Sequence, residues 1–210
     1  MNVVGLFLWT RGGFFQHSGA YIGGWQESRQ IDMSETVTKT RYGYKGKLLK
    51  LRVDNVKLRN GYRTTREIVE HPGAVAIIPV LDDATILLTR QYRRAARRHM
   101  IEIPAGTLER DESPISCARR ELVEETGYAT RRIRRLFSCF LAPGYSTEKI
   151  HFFLATRLVP SKVQHPEDEA ITTRAVKLRE GLRAIERGEI QDAKTICGLY
   201  YLATHAKQVM

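Results

Sequence analysis

Three glutamates stand close together in one segment of the chain: Glu121, Glu124 and Glu125. If this segment is helical, at about 100° per residue, its spacing places the three carboxylates within an arc of roughly 100° on one face. Like charges so placed repel one another by a few tenths of a kcal/mol per pair. Arg120 can pair with Glu124, but one guanidinium cannot neutralise three acids. Most runs of this kind are solvated helix faces, so the cluster needs a further argument before it indicates chemistry.

The wider sequence supplies that argument. The chain carries a formal net charge of +11, yet Glu109, Asp111 and Glu112 add still more negative charge just before the three glutamates. Magnesium prefers carboxylate and carbonyl oxygens and keeps several of its waters. Such ions can bridge a phosphate and prepare a hydroxide for attack on it. The acidic segment therefore favours metal-dependent phosphate chemistry over a merely solvated surface.

A helix has to position these carboxylates, and its ends can be read from the sequence. Ser113 is a good N-cap residue, and Pro114 suits the first helical position, where no amide proton is needed. Gly127 accepts the left-handed backbone that ends many helices. We therefore predict a helix from Pro114 to Thr126, preceded by a loop over 106–112.

Strand patterns surround this helix, and Asn60-Gly61 indicates a hairpin with a two-residue turn. Strands are predicted at 48–53, 66–70, 74–80, 85–93, 133–141, 149–158 and 176–178, and two further helices at 180–187 and 193–204. The elements alternate without a regular βαβ rhythm. We therefore predict an α/β fold with a mixed sheet between helical layers.

Length and composition narrow the protein class. The 210 residues suit one domain with an appendage, and we predict a loose N-terminal tail over 1–32, with Met33 as a plausible start. No apolar run approaches the ~18 residues of a membrane helix. Three separated cysteines argue against a disulfide scaffold and favour a reducing, cytoplasmic compartment. The basic charge favours an anionic partner, either nucleic acid or a phosphorylated small molecule.

The acidic segment resembles the Nudix box: glycine, five residues, glutamate, seven residues, then Arg-Glu-aliphatic-x-Glu-Glu-x-Gly and an aliphatic or aromatic residue. The matching residues are Gly106, Glu112, Arg120, Glu121, Leu122, Glu124, Glu125, Gly127 and Tyr128. Nine matches at fixed spacing leave little room for chance. The resemblance implies the Nudix fold, an α/β/α sandwich, and hydrolysis of a nucleoside diphosphate linked to another moiety. It also implies Mg²⁺, or Mn²⁺, as the cofactor.

Four further stretches are similar to the ADP-ribose pyrophosphatase branch of that family. They are 90–93 (RQYR), 102–106 (EIPAG), 141–148 (LAPGYSTE) and 188–195 (GEIQDAKT). The resemblance, which covers about 48–202, implies cleavage of ADP-ribose to AMP and ribose 5-phosphate. It also implies a homodimer that exchanges an antiparallel N-terminal strand region, here 39–70, beside a Nudix domain over 71–206.

The resemblance assigns the metal and catalytic roles. Glu121, Glu125 and the backbone carbonyl of Ala105 are expected to bind the metal, and Glu124 either joins them or holds a metal-bound water. Glu121 and Glu125 are thereby also catalytic. The general base is expected on a later loop, at Glu169 or, second, Glu167. The structural residues of the box are Gly106, Glu112, Arg120 and Gly127, with Glu112 as a partner of Arg120.

It also assigns substrate contacts and leaves two alternatives open. Arg93 is expected at the phosphates, and Arg66 with Glu67 at the adenine or ribose, with Pro143 and Tyr145 as candidate specificity residues. One alternative is another Nudix substrate: GDP-mannose, NADH or a dinucleoside polyphosphate, for which Tyr145 would be informative. The other is a Nudix domain that binds ADP-ribose or RNA without turnover. We do not expect nucleic acid binding, because no aromatic residue interleaves the basic run 131–135.

Overall fold

The computed structural model describes residues 35–82, 85–161 and 171–209, with side chains through His205. The strands are β1 (Glu35–Lys45), β2 (Lys50–Leu58), β3 (Arg63–Glu70), β4 (Ala74–Asp82), β5 (Thr85–Arg93), β6 (Arg98–Glu102), β7 (Ala105–Thr107), β8 (Tyr128–Phe140), β9 (Lys149–Pro160) and β10 (Thr172–Lys177). The helices are α1 (Pro114–Thr126), α2 (Leu178–Glu186) and α3 (Ala193–Val209). No helix in these ranges has the length and apolar character needed to cross a membrane.

The strands form two sheets. The first is antiparallel and three-stranded, in the order β1-β2-β3. The second has seven strands, in the order β10-β5-β4-β9-β8, with β6 paired to β5 and β7 paired to β4. Only β4 and β9 pair in parallel, and the other pairs of this sheet are antiparallel. The predicted mixed sheet and the antiparallel N-terminal region are therefore confirmed.

Strand β4 is buried on both faces, which explains its continuous apolar sequence. Because successive side chains of a strand point to opposite faces, Val75 and Ile77 pack with the α1 residues Cys117 and Leu122. The alternate side chains join a second core cluster, which contains residues of α2 and α3. The seven-stranded sheet thus lies between α1 and the other two helices, as an α/β/α sandwich.

Helix α1 has the predicted ends. The Ser113 hydroxyl accepts a hydrogen bond from the amide of Ser116 at 3.2 Å, and Pro114 occupies the first helical position. Gly127 has a φ of 74° and its amide donates to the carbonyl of Val123 at 2.9 Å. Capping residues and a glycine at a left-handed position therefore define the segment that carries the box glutamates.

Other predictions need correction. The predicted loop over 106–112 begins with the strand β7, which pairs with β4. The hairpin turn is longer than predicted, because Leu58 bonds to Tyr62 at 2.8 Å and leaves three residues between them. Gly61 has a φ of 85°, the left-handed last position of a three-residue hairpin loop. Strand β1 starts at Glu35, four residues before the N-terminal strand region expected over 39–70.

Candidate active site

A cleft of about 550 Å³ brings together Ala105, Glu121 and Glu125, three of the six residues predicted to be catalytic or to bind the metal. Its lining comes from β5, from β7 and the loop after it, and from α1, with Lys47 added from before β2. The lining residues are Lys47, Gln91, Arg93, Ala105, Gly106, Thr107, Leu108, Glu109, Arg120, Glu121 and Glu125. Of the other predicted site residues, Arg93, Gly106 and Arg120 also line the cleft, whereas Glu124 does not.

Gly106 and Glu121 fit against each other. A Cβ atom placed on Gly106 would lie 1.9 Å from both Cδ and Oε1 of Glu121, far inside van der Waals contact. The carboxylate of Glu121 therefore occupies the space that any other residue at position 106 would fill. This close approach gives a physical reason for the glycine of the box, since Gly106 does not have the positive φ found at Gly127.

Glu125 is nearly enclosed, with 6% of the residue exposed. Its Oε2 accepts a hydrogen bond from the amide of Ala105 at 3.2 Å, which holds the carboxylate against β7. Its backbone carbonyl accepts from the hydroxyl of Thr173 at 2.9 Å. Next to it, the carbonyl of Gly127 accepts from the amide of Ser161 at 2.8 Å. The C-terminal end of α1 is therefore attached to β10 and to the end of β9.

Arg120 organises the acids of the box. Its Nε and Nη2 donate to the two oxygens of Glu112, at 3.0 and 2.9 Å. Its Nη1 donates to Glu121 at 2.7 Å and to Glu124 at 3.0 Å. The hydrogen bond from Arg120 lowers the pKa of Glu112 to about 2, against the opposing effect of burial. The same bond raises the pKa of Arg120, so both groups stay charged at neutral pH.

Arg93 enters the cleft from the end of β5. Its Nε and Nη2 each donate to one oxygen of Glu102 at 2.8 Å, a forked ion pair. This bond raises the pKa of Arg93 above its ordinary value, although burial opposes it. Among the described residues Nη1 makes no hydrogen bond, and 40% of the side chain is exposed. The guanidinium of Arg93 is therefore held in place by Glu102, while its Nη1 donors are available to a ligand.

Sequence reasoning missed the residues that hold Arg93 in place. Glu102 is buried, with 3% of the residue exposed, and it also forms an ion pair with Lys194. Burial alone would raise the pKa of Glu102, but the bonds and charges of the two cations outweigh it and the pKa is lowered. Glu102 and Lys194 lie in the stretches 102–106 and 188–195, which resemble the ADP-ribose pyrophosphatase branch. That resemblance was a signal that both stretches matter, although nothing in the sequence predicts that they contact each other.

Other predicted site residues lie elsewhere. Arg66 forms an ion pair with Glu35 of β1, and neither it nor its neighbour Glu67 lines the cleft of the same chain. Pro143 and Tyr145 do not line it either. Their loop is held to β3, where the amide of Val69 donates to the carbonyl of Tyr145 at 2.8 Å. The two base candidates, Glu167 and Glu169, lie outside the described residues.

The oxygen donors of the cleft suit a hard divalent cation. Glu121 and Glu125 offer carboxylates, Ala105 offers a backbone carbonyl, and no histidine or cysteine lines the described cleft. Within the described residues no group of three or more His, Cys, Asp or Glu side chains could hold a metal ion by itself. Magnesium is commonly bound through one or two carboxylates, with waters and substrate phosphate completing its shell. The residues present therefore fit the cofactor that the box implies.

Comparison with known proteins gives the same family. A model of the NUDIX domain matches residues 70–198, which is more than half of the chain. The chain belongs to the Nudix family. Among its Nudix relatives, an ADP-ribose pyrophosphatase of Bacillus subtilis is 39% identical over 80% of this chain and 91% of its own length. A methanol dehydrogenase activator of Bacillus methanolicus is 40% identical over 80% of this chain and 92% of its own length.

A solved structure described as an ADP compounds hydrolase has the same Nudix fold. It superimposes with a TM-score of 0.74, covering 82% of this chain and 94% of the other, at 23% identity. At that identity the likeness speaks for the fold alone. The predicted Nudix α/β/α architecture is therefore confirmed.

Proposed function

We propose that this Nudix protein hydrolyses the pyrophosphate bond of ADP-ribose, giving AMP and ribose 5-phosphate. The observation that carries the proposal is a single cleft that holds two box carboxylates, Glu121 and Glu125, together with the guanidinium of Arg93. The carboxylates can hold a divalent cation and the guanidinium is itself a cation, and positive charge of both kinds offsets the negative charge of a pyrophosphate that opposes attack by water. The name of the Bacillus subtilis relative supports the choice of substrate.

Each residue of the cleft has a role in this proposal. Glu121, Glu125 and the carbonyl of Ala105 would hold Mg²⁺ or Mn²⁺. When bound, such an ion lowers the pKa of a coordinated water and neutralises phosphate charge. The free Nη1 donors of Arg93 bind phosphate oxygens and stabilise the leaving phosphate. Arg120 keeps Glu121 in place through its 2.7 Å bond. Glu169, or else Glu167, accepts the proton of the attacking water.

We also propose a homodimer formed through the N-terminal strands. Every residue of β1 is exposed, and β1 pairs only with β2 among the described strands. A long exposed edge strand of this kind is a ready template for pairing with another chain. Exchange of this region would let Arg66 and Glu67 reach the cleft of the partner, which they do not reach in their own chain. Sedimentation at twice the 24.0 kDa chain mass would support this, and a monomer would reject it.

For the cellular compartment we propose the cytoplasm. The three cysteines are free thiols in the described structure, which suits a reducing environment.

A substrate panel tests the activity. Initial rates are measured on ADP-ribose, GDP-mannose, NADH and diadenosine tetraphosphate, each with Mg²⁺ and with EDTA. We expect ADP-ribose to be preferred over GDP-mannose and diadenosine tetraphosphate by about tenfold or more in kcat/KM. Differences of that size are usual where the polar groups of a site match one substrate. A preference for GDP-mannose or diadenosine tetraphosphate would reject the ADP-ribose assignment, and binding of ADP-ribose without turnover would reject the enzyme.

A further inference from the structure

Lys194, at the start of α3, forms an ion pair with Glu102, which in turn holds Arg93 of the candidate active site. We infer that Lys194 is a positioning residue for Arg93, acting through the buried carboxylate of Glu102, an inference that rests on the proposed function. Lys194 forms ion pairs with Glu102 and with Asp192, the latter at 2.9 Å. It does not line the cleft itself, so it acts on a substrate bound there without touching it.

Glu102 and Lys194, the central ion pair of this network, are largely buried. Only 4% of the Glu102 side chain and 12% of the Lys194 side chain are exposed. Two cations, Arg93 and Lys194, face two anions, Glu102 and Asp192, so the described cluster is neutral as a whole. Charges with so little solvent around them interact strongly, because water cannot screen them. The balance of the four groups therefore contributes to the electrostatic potential next to the cleft.

Backbone hydrogen bonds fix the position of the network. Asp192 accepts from the amide of Thr195 at 2.9 Å, as a cap at the start of α3. The hydroxyl of Thr195 in turn accepts from the amide of Ile103 at 2.8 Å. Ile103 follows Glu102 directly. The start of α3 is therefore held to this segment twice, by the hydrogen bond from Ile103 to Thr195 and by the ion pair of Glu102 with Lys194. Lys194 consequently lies at a fixed place rather than on a mobile surface stem.

Removal of the Lys194 charge has a defined consequence. The cluster changes from neutral to a net charge of −1, and among the described residues Arg93 remains as the one ion-pair partner of Glu102. Arg93 is then more fully neutralised, and the region beside the cleft repels a pyrophosphate. Because Arg93 keeps both of its bonds to Glu102 and the added negative charge opposes the phosphates before and during the reaction alike, the loss falls mainly on substrate binding. A rise in KM with little change in kcat is the signature of such a loss.

The experiment compares Lys194→Met with Lys194→Arg and with a matched control, Lys177→Met. Lys177 is an exposed lysine paired with Asp82, so its replacement removes the same charge away from the cleft. We expect K194M to raise the KM for ADP-ribose at least about tenfold with kcat within about threefold of wild type. K194R, which keeps the charge, and K177M should stay within about threefold in both constants. Thermal unfolding verifies that each variant is folded, and Lys194→Gln replaces K194M if that variant is not.

A second measurement separates this inference from the proposed function. The same proteins are titrated calorimetrically with inorganic pyrophosphate in EDTA, which reports on the anion site without turnover. Wild type that fails to hydrolyse ADP-ribose would reject the proposed function, whereas the titration would still show weaker binding by K194M. The inference itself is rejected if folded K194M binds pyrophosphate as wild type does. It is also rejected if K194R is as impaired as K194M, since packing rather than charge would then be responsible.

Discussion

Gly106→Ala offers a sharp test of the site, because one methyl group acts on one carboxylate. The added Cβ would lie 1.9 Å from Cδ and Oε1 of Glu121 and 2.5 Å from its Oε2. An ordinary carbon contact needs about 3.5 Å, so the carboxylate must retreat by about 1.5 Å. The carboxylate lies at the end of the flexible Glu121 side chain, so it can move by that distance. The 2.7 Å bond from Arg120 cannot survive it unchanged.

Two magnitudes follow from this geometry. A displacement of about 1 Å in a catalytic group can cost on the order of 100-fold in rate, or about 2.7 kcal/mol of transition-state stabilisation. The stability of the fold should change much less. Gly106 does not have a left-handed backbone, and replacing such a glycine by alanine stabilises a protein by about 0.4–1 kcal/mol through the unfolded state. We expect G106A to lose about 100-fold in kcat with a free energy of unfolding within about 1 kcal/mol of wild type.

The assay pairs initial rates of ADP-ribose hydrolysis with urea unfolding. Gly43→Ala is the matched control, because a Cβ there would meet Leu51 at an ordinary 3.5 Å. That variant should keep wild-type kcat. Folded G106A with wild-type kcat would show that the position of Glu121 does not limit the reaction, and the assigned metal site would be wrong. Unfolding of G106A would show that the clash is relieved by the backbone and not by the side chain.

Three further predictions concern single features of the chain. Glu125→Gln should reduce kcat at least about 100-fold in a protein that still folds, because an amide oxygen can still accept from Ala105 but carries no charge; near-normal turnover would contradict the metal site. Glu112→Gln should destabilise the protein at neutral pH by about 1.5–3 kcal/mol, the range for a hydrogen bond to a charged group, although Arg120 keeps its bonds to Glu121 and Glu124. Since the pKa of Glu112 falls to about 2 from an ordinary 4.5, that difference in unfolding free energy is full above about pH 4.5. It should shrink as the pH falls towards 2, and urea titrations that show a constant difference would refute the ion pair. A chain starting at Met33 should hydrolyse ADP-ribose with kcat/KM within about twofold of the full chain, and a large loss would assign a role to residues 1–32.

Local sequence signals were sufficient to predict α1, but not to predict the short strands or the ion pairs of Glu102. Ser113, Pro114 and Gly127 each act on their immediate backbone, so the helix ends could be predicted from their residue types. The strands β6 and β7 were missed because they are short, at five and three residues, and exist through pairing with β5 and β4.

The ion pair of Glu102 with Lys194 joins residues 92 positions apart. No periodicity in either segment predicts such a contact, because it depends on how α3 packs against the sheet. The box acids were easier to interpret, since their partner Arg120 lies on the same helix. Charge pairing within one element can thus be read from spacing, whereas the contacts that place Arg93 required the assembled fold.

The two attachments at the end of α1 have a consequence for how the enzyme could change. Ser161 is bound to the carbonyl of Gly127 and Thr173 to that of Glu125, at 2.8 and 2.9 Å. The stretch between them therefore starts and finishes at one fixed place, beside the box carboxylates. Exchange of the segment between them by recombination or grafting would therefore have to retain the proposed base, Glu169 or Glu167, while the two attachments keep the helix and its carboxylates in position.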